Sequence, residues 1–328
     1  MSRKLPIVTV IGSGGTLNTL LTTQAHNVGE MLARLGVNIL TGGGQGVVLE
    51  ASKAYVESPE RYGNVIGVVP GSLGEDYGVK AGYPNDFVEM PIFTHLPGSD
   101  PRGQDSRNYI NILSGDIILA LSGGAGTEAE LDLALKNKKP VLVFLENDQR
   151  IGAYKKENLS KHEGVIFFDN KELLENKLQI MLSAWAQPRP SFALLKSNYK
   201  LHGTHNCTME FPNTCAIRLS EALAKTDRKF MEYFTDSTVN KCPHKYIRGA
   251  QDLASILRQA SVFGVHDLGW EAPGSVPSGI KGKKGIVCYM NIPTYPDGQG
   301  HIDLWENEGP VGDAYWDGNP IWFWSLPD

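Results

Sequence analysis

The sequence lacks the features that mark several large classes of protein. Its 31 Lys and Arg residues are outnumbered by 36 Asp and Glu residues, which leaves a formal net charge of -5 and argues against a nucleic-acid-binding surface. Its apolar runs, such as Ile117–Leu121, have the length of a strand and fall short of a membrane span. The basic start at Met1–Pro6 leads into a strand rather than a signal-peptide core. We therefore expect a cytoplasmic protein without nucleic-acid or membrane partners, although export without a signal peptide would leave no mark in the sequence.

Cysteine is also scarce. The chain has only Cys207, Cys215, Cys242 and Cys288, and no two of them form a C-x-x-C pair. We therefore expect no metal site and no thioredoxin-like motif. In the cytosol the thiols should be mostly reduced, and the sequence leaves open whether Cys207 and Cys242 pair.

Two domains are predicted. Residues 5–145 alternate short apolar strands with amphipathic helices, which is typical of α/β proteins with a doubly wound parallel sheet. The prolines of the segment 187–190 interrupt this alternation, so we place one domain at 1–187 and the other at 188–328. In the second domain helices precede strands, which indicates an α+β fold. The expected strands of the first domain are Ile7–Ile11, Val37–Leu40, Val65–Val69, Asp86–Met90, Ile117–Leu121 and Val141–Phe144. The expected helices of the chain are 23–35, 47–55, 106–113, 127–135, 172–185, 215–225 and 249–260.

Glycine-rich loops follow three of the predicted strands. They lie at Gly12–Gly15, Gly42–Gly46 and Gly123–Thr127. Glycine lets the backbone approach a phosphate closely, and a helix start behind the loop offers free N–H groups. Ligands of open α/β sheets bind at these carboxyl ends of strands, so we predict a phosphate crevice. Tight βα turns without a ligand would give the same pattern, and neither of the two longer loops is a Walker loop or a G-x-G-x-x-G fingerprint.

The loops resemble those of the LOG/SLOG (lysine-decarboxylase-like) nucleotide-binding superfamily. Gly42–Val47 matches its G-G-G-x-G-V motif, and Gly123–Glu130 matches its G-G-x-G-T-x-x-E motif, with Ser122 in place of a proline and the pair Arg107-Asn108 upstream. The resemblance implies a Rossmann-like fold and a homo-oligomer. The predicted nucleotide-binding residues are Gly12, Ser13, Gly14, Gly42, Gly43, Gly44, Gly46, Arg107, Asn108, Gly123, Gly124, Gly126, Thr127 and Glu130.

Enzymes of that superfamily release a base from a nucleoside monophosphate. The resemblance makes Arg107 and Glu130 the candidate catalytic pair. Those enzymes usually carry Arg-Lys where this chain has Arg107-Asn108. This departure favours a domain that senses a nucleotide, such as an ADP-ribose-type ligand, over a phosphoribohydrolase.

The second domain contains a thiol, an imidazole and carboxylates in an order that suggests catalysis. Cys215 follows the capping residue Thr214 at the start of a predicted helix, where the helix dipole favours a thiolate. His301 lies on a later strand and could act as its base. Asp313 is expected to orient the imidazole, with Asp303 and Asp317 as rivals. A buried structural cysteine is the alternative interpretation.

Residues 191–328 resemble the fourth class of type VI secretion amidase effectors. The matching segments include 213–220, 282–287 and 300–305. The resemblance implies a papain-like (NlpC-type) fold, a Cys215 nucleophile, a His301 base and an orienting Asp313. It also implies cleavage of the D-glutamate–diaminopimelate amide bond of peptidoglycan, without a cofactor for amide hydrolysis, and an immunity protein as a partner.

Together these patterns predict a cysteine amidase or peptidase that acts as a toxin or as an antiviral defence effector. A nucleotide-type ligand bound to the first domain would regulate it, which implies a partner protein that produces the signal. A phosphoribohydrolase fused to an amidase and an exported antibacterial amidase effector are the alternatives.

Overall fold

The computed structural model describes residues 5–59, 61–71, 80–98, 106–200, 207, 211, 213–295 and 300–328. The chain divides into two compact units, the first of which ends at Trp185 and the second of which begins at Ala186. We retain 1–187 and 188–328 as the proposed domains. In the described part of the chain, none of the helices has the length and apolar character needed to pass through a bilayer.

A parallel sheet of seven strands forms the core of the first unit. Its strands are β1 (Ile7–Ile11), β2 (Asn38–Thr41), β3 (Val65–Val69), β4 (Met90–Phe93), β5 (Ile117–Ala120), β6 (Val141–Phe144) and β9 (Val165–Phe168). They lie in the order β4-β3-β2-β1-β5-β6-β9, and every pair of neighbours is parallel. The strand order reverses direction between β1 and β5, which is where open α/β sheets form their ligand crevice.

The helices of the first unit follow the predicted alternation. They are α1 (Thr19–Arg34), α2 (Val47–Glu57), α3 (Asn108–Ser114), α4 (Ala125–Lys136), α5 (Lys156–Leu159) and α6 (Lys171–Leu182), with a 3-10 turn at Ser183–Trp185. α1 begins at a side-chain cap, because Asn18 Oδ1 accepts a hydrogen bond from Leu21 N at 2.9 Å. A short hairpin of β7 (Arg150–Ile151) and β8 (Tyr154–Lys155) precedes α5. The predicted doubly wound α/β fold is therefore confirmed.

Two parts of the sheet differ from the sequence prediction. The fourth strand starts at Met90 rather than Asp86, because Asn85 makes a turn in which its Oδ1 accepts a hydrogen bond from Phe87 N and its carbonyl accepts one from Val88 N. β9 (Val165–Phe168) was not predicted. It lies at the sheet edge and is only partly buried, so its short apolar run carried little signal.

The second unit is built on an antiparallel sheet. Its strands are β10 (Leu268–Trp270), β11 (Lys283–Tyr289), β12 (His301–Asn307), β13 (Gly309–Pro310) and β14 (Ile321–Ser325), in the order β10-β14-β11-β12-β13. Its helices are α7 (Phe192–Asn198), α8 (Cys215–Thr226), α9 (Lys229–Asp236) and α10 (Ala250–Leu257), with a 3-10 turn at Ser278–Ile280. The α+β prediction is confirmed, although α7 and α9 were not predicted.

α8 is the central helix of this unit. Ten of its twelve residues are buried, and Leu219, Ala222 and Leu223 are fully inaccessible to solvent. Glu221 is buried as well, and it forms ion pairs with Lys200 and Lys225. A helix enclosed in this way holds its first residue in a fixed position.

Candidate functional site

Cys215 is the first residue of α8 and is 6% exposed. Burial raises the pKa of its thiol. A hydrogen bond and the charge of His301 lower the pKa, as do the backbone N–H groups of Ile302 and Ala216, and the net result is a pKa below the ordinary value. The helix start adds its positive dipole end. The environment therefore favours a thiolate.

His301 is the first residue of β12 and is 4% exposed. Its Nε2 lies 3.2 Å from Asp303 Oδ2. Burial lowers the pKa of the imidazole, but the hydrogen bonds and negative charges of Asp303 and Cys215 outweigh burial and raise that pKa from 6.5 to about 9. The two shifts act in the same sense, because each favours a Cys215 thiolate beside a His301 imidazolium.

Asp303, one of the two rivals to Asp313, is the carboxylate that contacts the imidazole. Residues two apart on a strand share a face, so Asp303 lies beside His301 on β12. Asp303 is fully buried, and it accepts hydrogen bonds from Leu304 N at 2.7 Å and from Asp313 N at 3.1 Å. Asp313 thus contacts this carboxylate through its backbone, and the side chains of Asp313 and Asp317 are exposed.

Aromatic rings enclose the imidazole. The His301 ring stacks on Tyr289 and meets the edge of Tyr315, with ring centroids 6.2 Å and 5.1 Å apart. The Tyr315 hydroxyl accepts a hydrogen bond from the Tyr295 hydroxyl at 2.7 Å. The aromatic clustering of the C-terminal segment was visible in the sequence, but its role in covering the imidazole was not. These rings keep the charged pair in a medium of low polarity, where its attraction is strong.

The three glycine-rich loops of the first unit meet at the reversal of strand order. Ser13, after β1, donates its backbone N–H to Ser122 O at 2.9 Å and accepts a hydrogen bond from Val47 N at 2.8 Å. Gly46 has a left-handed φ of 72°, and a Cβ at this position would clash with Ser13 O. The backbone of this crevice is therefore fixed by contacts between the loops.

The predicted glycines fall into two groups. Gly12, Gly42, Gly43, Gly44 and Gly123 pack against other parts of the chain, where Val47, Arg107, Val69, Tyr83 and Thr127 respectively lie next to them. Gly14, Gly124 and Gly126 are exposed, and a Cβ on any of them would meet no atom within 4 Å. The second group leaves open space at the ends of β1 and β5, where α4 begins without a side-chain cap.

Arg107 and Glu130 come together beside the second loop. Arg107 Nη1 lies 3.9 Å from Glu130 Oε1. With its amide in the orientation that satisfies its neighbours, Asn111 accepts hydrogen bonds from Arg107 Nη1 at 2.8 Å and from Gly42 N at 3.2 Å. Burial raises the pKa of Glu130, and the charge of Arg107 and the Asn111 hydrogen bond offset only part of that rise. Sequence reasoning missed Asn111, although its spacing of four residues from Arg107 on a helix gave a signal.

Two buried polar atoms in this crevice are unsatisfied. Arg107 Nε and Asn108 Oδ1 have no hydrogen-bond partner within the described part of the chain, and the two residues are 8% and 6% exposed. Buried polar groups normally have partners. The Arg107 Nε–H donor and the Asn108 Oδ1 acceptor could therefore form hydrogen bonds with a polar ligand.

Comparison with known proteins gives a separate match for each unit. Residues 5–173 match the SLOG cluster4 family, and residues 211–324 match the type VI secretion system amidase effector protein 4 family. Both resemblances predicted from the sequence are therefore confirmed. An uncharacterized protein of Archaeoglobus fulgidus is 33% identical over 138 residues, which are 42% of this chain and 79% of the archaeal protein.

Two solved structures are also similar to the chain. The molybdenum cofactor carrier protein of Chlamydomonas reinhardtii is 28% identical, with a TM-score of 0.42, over 55% of this chain and 99% of its own. The molybdenum cofactor binding protein of Rippkaea orientalis is 27% identical, with a TM-score of 0.43, over 56% of this chain and 99% of its own. On the evidence of the family matches, the chain belongs to the SLOG cluster4 family, and its second unit carries the match to amidase effector protein 4.

Proposed function

We propose that the second unit is a cysteine amidase in which Cys215 is the nucleophile, His301 is the general base and acid, and Asp303 orients the imidazole. The observation that carries this proposal is the contact chain from thiol to imidazole to buried carboxylate, within residues that match an amidase effector family. Such a chain supplies both the nucleophile and the proton carrier that amide hydrolysis requires.

In the first half of the reaction the Cys215 thiolate attacks the amide carbonyl carbon. The carbonyl π electrons move to oxygen, and the backbone N–H of Cys215 is the proposed donor to that oxyanion. When the C–N bond breaks, His301 gives its Nδ1 proton to the leaving amine, since its Nε2 faces Asp303. The products are a thioester on Cys215, a free amine and a neutral imidazole.

In the second half water hydrolyses the thioester. His301 takes a proton from the water, the hydroxide attacks the acyl carbon, and the carboxylic acid leaves as Cys215 recovers its electron pair. The acid loses its proton to solvent, and the thiolate–imidazolium pair is restored. The role of Asp303 throughout is to hold the ring and stabilise its positive charge.

The proposed substrate class is a peptide of the peptidoglycan stem, cleaved at the D-glutamate–diaminopimelate amide. The test incubates the full chain with purified stem peptides and follows the new amine by mass spectrometry. Cleavage that is lost in Cys215→Ala supports the proposal. Cleavage that persists in this variant refutes the mechanism. If the stem peptides stay intact although the Cys215 thiol is reactive, the substrate is an amide of another class.

We also propose that the first unit binds a nucleotide-type ligand, such as an ADP-ribose-type molecule, and that this ligand regulates the amidase. Support comes from the open space over Gly14, Gly124 and Gly126 and from the unsatisfied Arg107 and Asn108 atoms. Helix starts and glycine backbones suit phosphate, and the Arg107 guanidinium could pair with it.

Calorimetry with a panel of nucleotides tests this proposal, followed by amidase assays with and without the binder. Binding that weakens in Arg107→Ala, together with ligand-dependent amidase activity and a change of oligomeric state in light scattering, is the expected result. Amidase activity that is the same with and without bound nucleotide would refute the regulatory role while leaving the catalytic proposal intact.

A phosphoribohydrolase is the second candidate for the first unit, because its two implied catalytic side chains lie 3.9 Å apart. The burial that raises the pKa of Glu130 biases this carboxyl toward its neutral form, which stabilises developing positive charge less well. We therefore rank the sensor first. Release of adenine from AMP that disappears in Glu130→Gln would reverse this order.

The proposed setting is the cytoplasm, where a nucleotide signal would activate the amidase as a defence effector. Delivery to the periplasm of a target cell, as the type VI secretion system family implies, is the alternative setting. Expression with and without an appended export signal separates the two. Toxicity that depends on export favours the delivered antibacterial effector, and an immunity protein would then be its partner.

A further inference from the structure

Three potential metal ligands meet in the second unit, apart from the catalytic groups. The Cys207 and Cys242 sulphur atoms and a ring nitrogen of His244 all lie within 4.8 Å of one another. Both cysteines are buried, the histidine is exposed, and neither cysteine is in a disulfide. Cys207 and Cys242 are far apart in sequence, so no C-x-x-C spacing indicates this cluster.

We propose that Cys207, Cys242 and His244 bind a zinc ion, with a water molecule as the fourth ligand. Zinc bonds of about 2.3 Å to sulphur and about 2.0 Å to nitrogen, in a tetrahedron, separate the ligand atoms by roughly 3.5–4 Å. The separations of at most 4.8 Å in the structure are close enough for small side-chain movements to complete that geometry. Two thiolates and an imidazole are also the ligand types that zinc prefers over oxygen-seeking cations.

The turn around Cys242 has the form that holds a metal-bound thiolate. Cys242 N donates to Tyr246 O, and Lys245 N donates to Cys242 O, both at 2.9 Å. Lys245 takes a left-handed φ of 69° to close the turn. The backbone N–H groups of His244 and Tyr246 point at the Cys242 sulphur. Such donors stabilise negative charge on sulphur and set its orientation toward an ion.

A disulfide between Cys207 and Cys242 is the competing explanation, because the two thiols contact each other. It accounts for two of the three groups only. A disulfide sulphur is uncharged and needs neither the His244 nitrogen nor two N–H donors. The three-group arrangement therefore favours the metal.

Zinc binding displaces two protons from the three ligands. The two thiols lose their protons to solvent, and each thiolate and the neutral His244 nitrogen give an electron pair to the zinc ion. The resulting site has no net charge, which suits a location where both cysteines pack in an apolar cluster with Ile217. No electron transfer is involved.

The site also connects to the catalytic helix. Ile217 of the apolar cluster is on α8, two residues after Cys215. The segment that follows Cys242 is joined to the same helix, because Ser220 Oγ accepts a hydrogen bond from Ile247 N at 3.1 Å. Zinc would thus fix the segments before and beside the first turns of α8. This positioning role depends on the proposed amidase function, whereas zinc binding itself does not.

The experiment measures zinc in the purified full chain by plasma mass spectrometry and then replaces it with cobalt. We expect one zinc per chain, two protons released on binding, and cobalt spectra with thiolate charge-transfer bands and intense visible bands of a tetrahedral site. Because His244 is exposed, the His244→Ala variant should keep its structure. Its affinity for zinc should nevertheless decrease by a factor of at least about ten. Cys242→Ser removes one of the two thiolates and should therefore weaken the thiolate-to-cobalt charge-transfer bands.

Cys288→Ala is the matched control, because it removes a buried thiol outside the cluster and should leave zinc content unchanged. A chain that binds neither zinc nor cobalt and has Cys207 joined to Cys242 in peptide mapping would overturn the proposal. Zinc affinity that is unchanged in His244→Ala would overturn it as well. An inactive amidase with one bound zinc would refute the proposed function and leave the metal site standing.

Discussion

Replacing Asp303 with Asn tests which carboxylate serves His301. The rise in the pKa of His301 from 6.5 to about 9 corresponds to about 3 kcal/mol of stabilisation of the imidazolium. Asp303 and Cys215 share this stabilisation, so removing the Asp303 charge should lower the pKa of His301 by a large part of the rise. In triads of this kind the Asp-to-Asn change costs up to about 10⁴ in turnover.

The amide also fits the site poorly. The two Asp303 oxygens accept hydrogen bonds from Leu304 N, Asp313 N and His301, but an amide has a single oxygen. Its NH₂ group must then face at least one N–H donor, at a cost of about 1–3 kcal/mol. Circular dichroism and thermal unfolding should therefore accompany the rate measurements, so that lost activity is not confused with lost structure.

The assay compares pH–rate profiles of stem-peptide cleavage in three proteins: wild type, Asp303→Asn and Asp313→Asn. Wild-type activity should fall above about pH 9, as the imidazolium loses its proton. In Asp303→Asn the fall should begin at lower pH and the plateau should drop. Asp313→Asn, which changes an exposed side chain, should keep most of the activity. Equal losses in both variants, with an unshifted profile in Asp303→Asn, would refute the assignment.

The remaining predictions concern the thiol and the two cores. Because the pKa of Cys215 is lowered, its alkylation by iodoacetamide should follow a pH profile whose midpoint lies below that of an ordinary thiol. His301→Ala should move this midpoint to higher pH. Identical alkylation profiles in the wild type and His301→Ala would contradict the ion pair. Gly46→Ala should destabilise the first unit by at least about 1–2 kcal/mol in calorimetry, because Gly46 has a left-handed φ and its added Cβ would meet Ser13. Gly126→Ala is the control: its Cβ would lie in open space, and the free energy of unfolding should change by no more than about 1 kcal/mol. Leu219→Ala should cost the second unit about 2–5 kcal/mol in chemical denaturation, because its side chain is fully buried; a cost near zero would mean that α8 is not central.

The strands of the first unit were the most predictable part of the chain. Runs such as Val65–Val69 and Val141–Phe144 are apolar throughout because both faces of the sheet are covered, and their predicted bounds agree with the structure. Elements that are less buried gave weaker signals. β9 is partly exposed, and the bounds of β4 depend on the turn that Asn85 makes, which no periodicity records.

In the candidate sites, the sequence predicted residues on one element better than contacts between elements. Cys215 at the start of a helix and His301 on a strand were predicted from capping and alternation, which are local patterns. The Asn111 contact with Arg107 and Gly42 and the approach of His244 to Cys207 join distant parts of the chain. Such contacts arise from the packing of separate elements, and the spacing of residues along the sequence does not predict them.

The choice between Asp303 and Asp313 follows from burial as much as from distance. A carboxylate orients an imidazolium best when water does not compete for either group, and Asp303 is fully buried while Asp313 is exposed. The Asp313 backbone N–H still donates to Asp303, and a Cβ at Gly312 would clash with the same carboxylate. The segment that carries Asp313 therefore acts on the site by holding Asp303 in place. A Gly312→Ala substitution should accordingly lower amidase activity more than Asp313→Asn, since it displaces the carboxylate rather than removing an exposed charge.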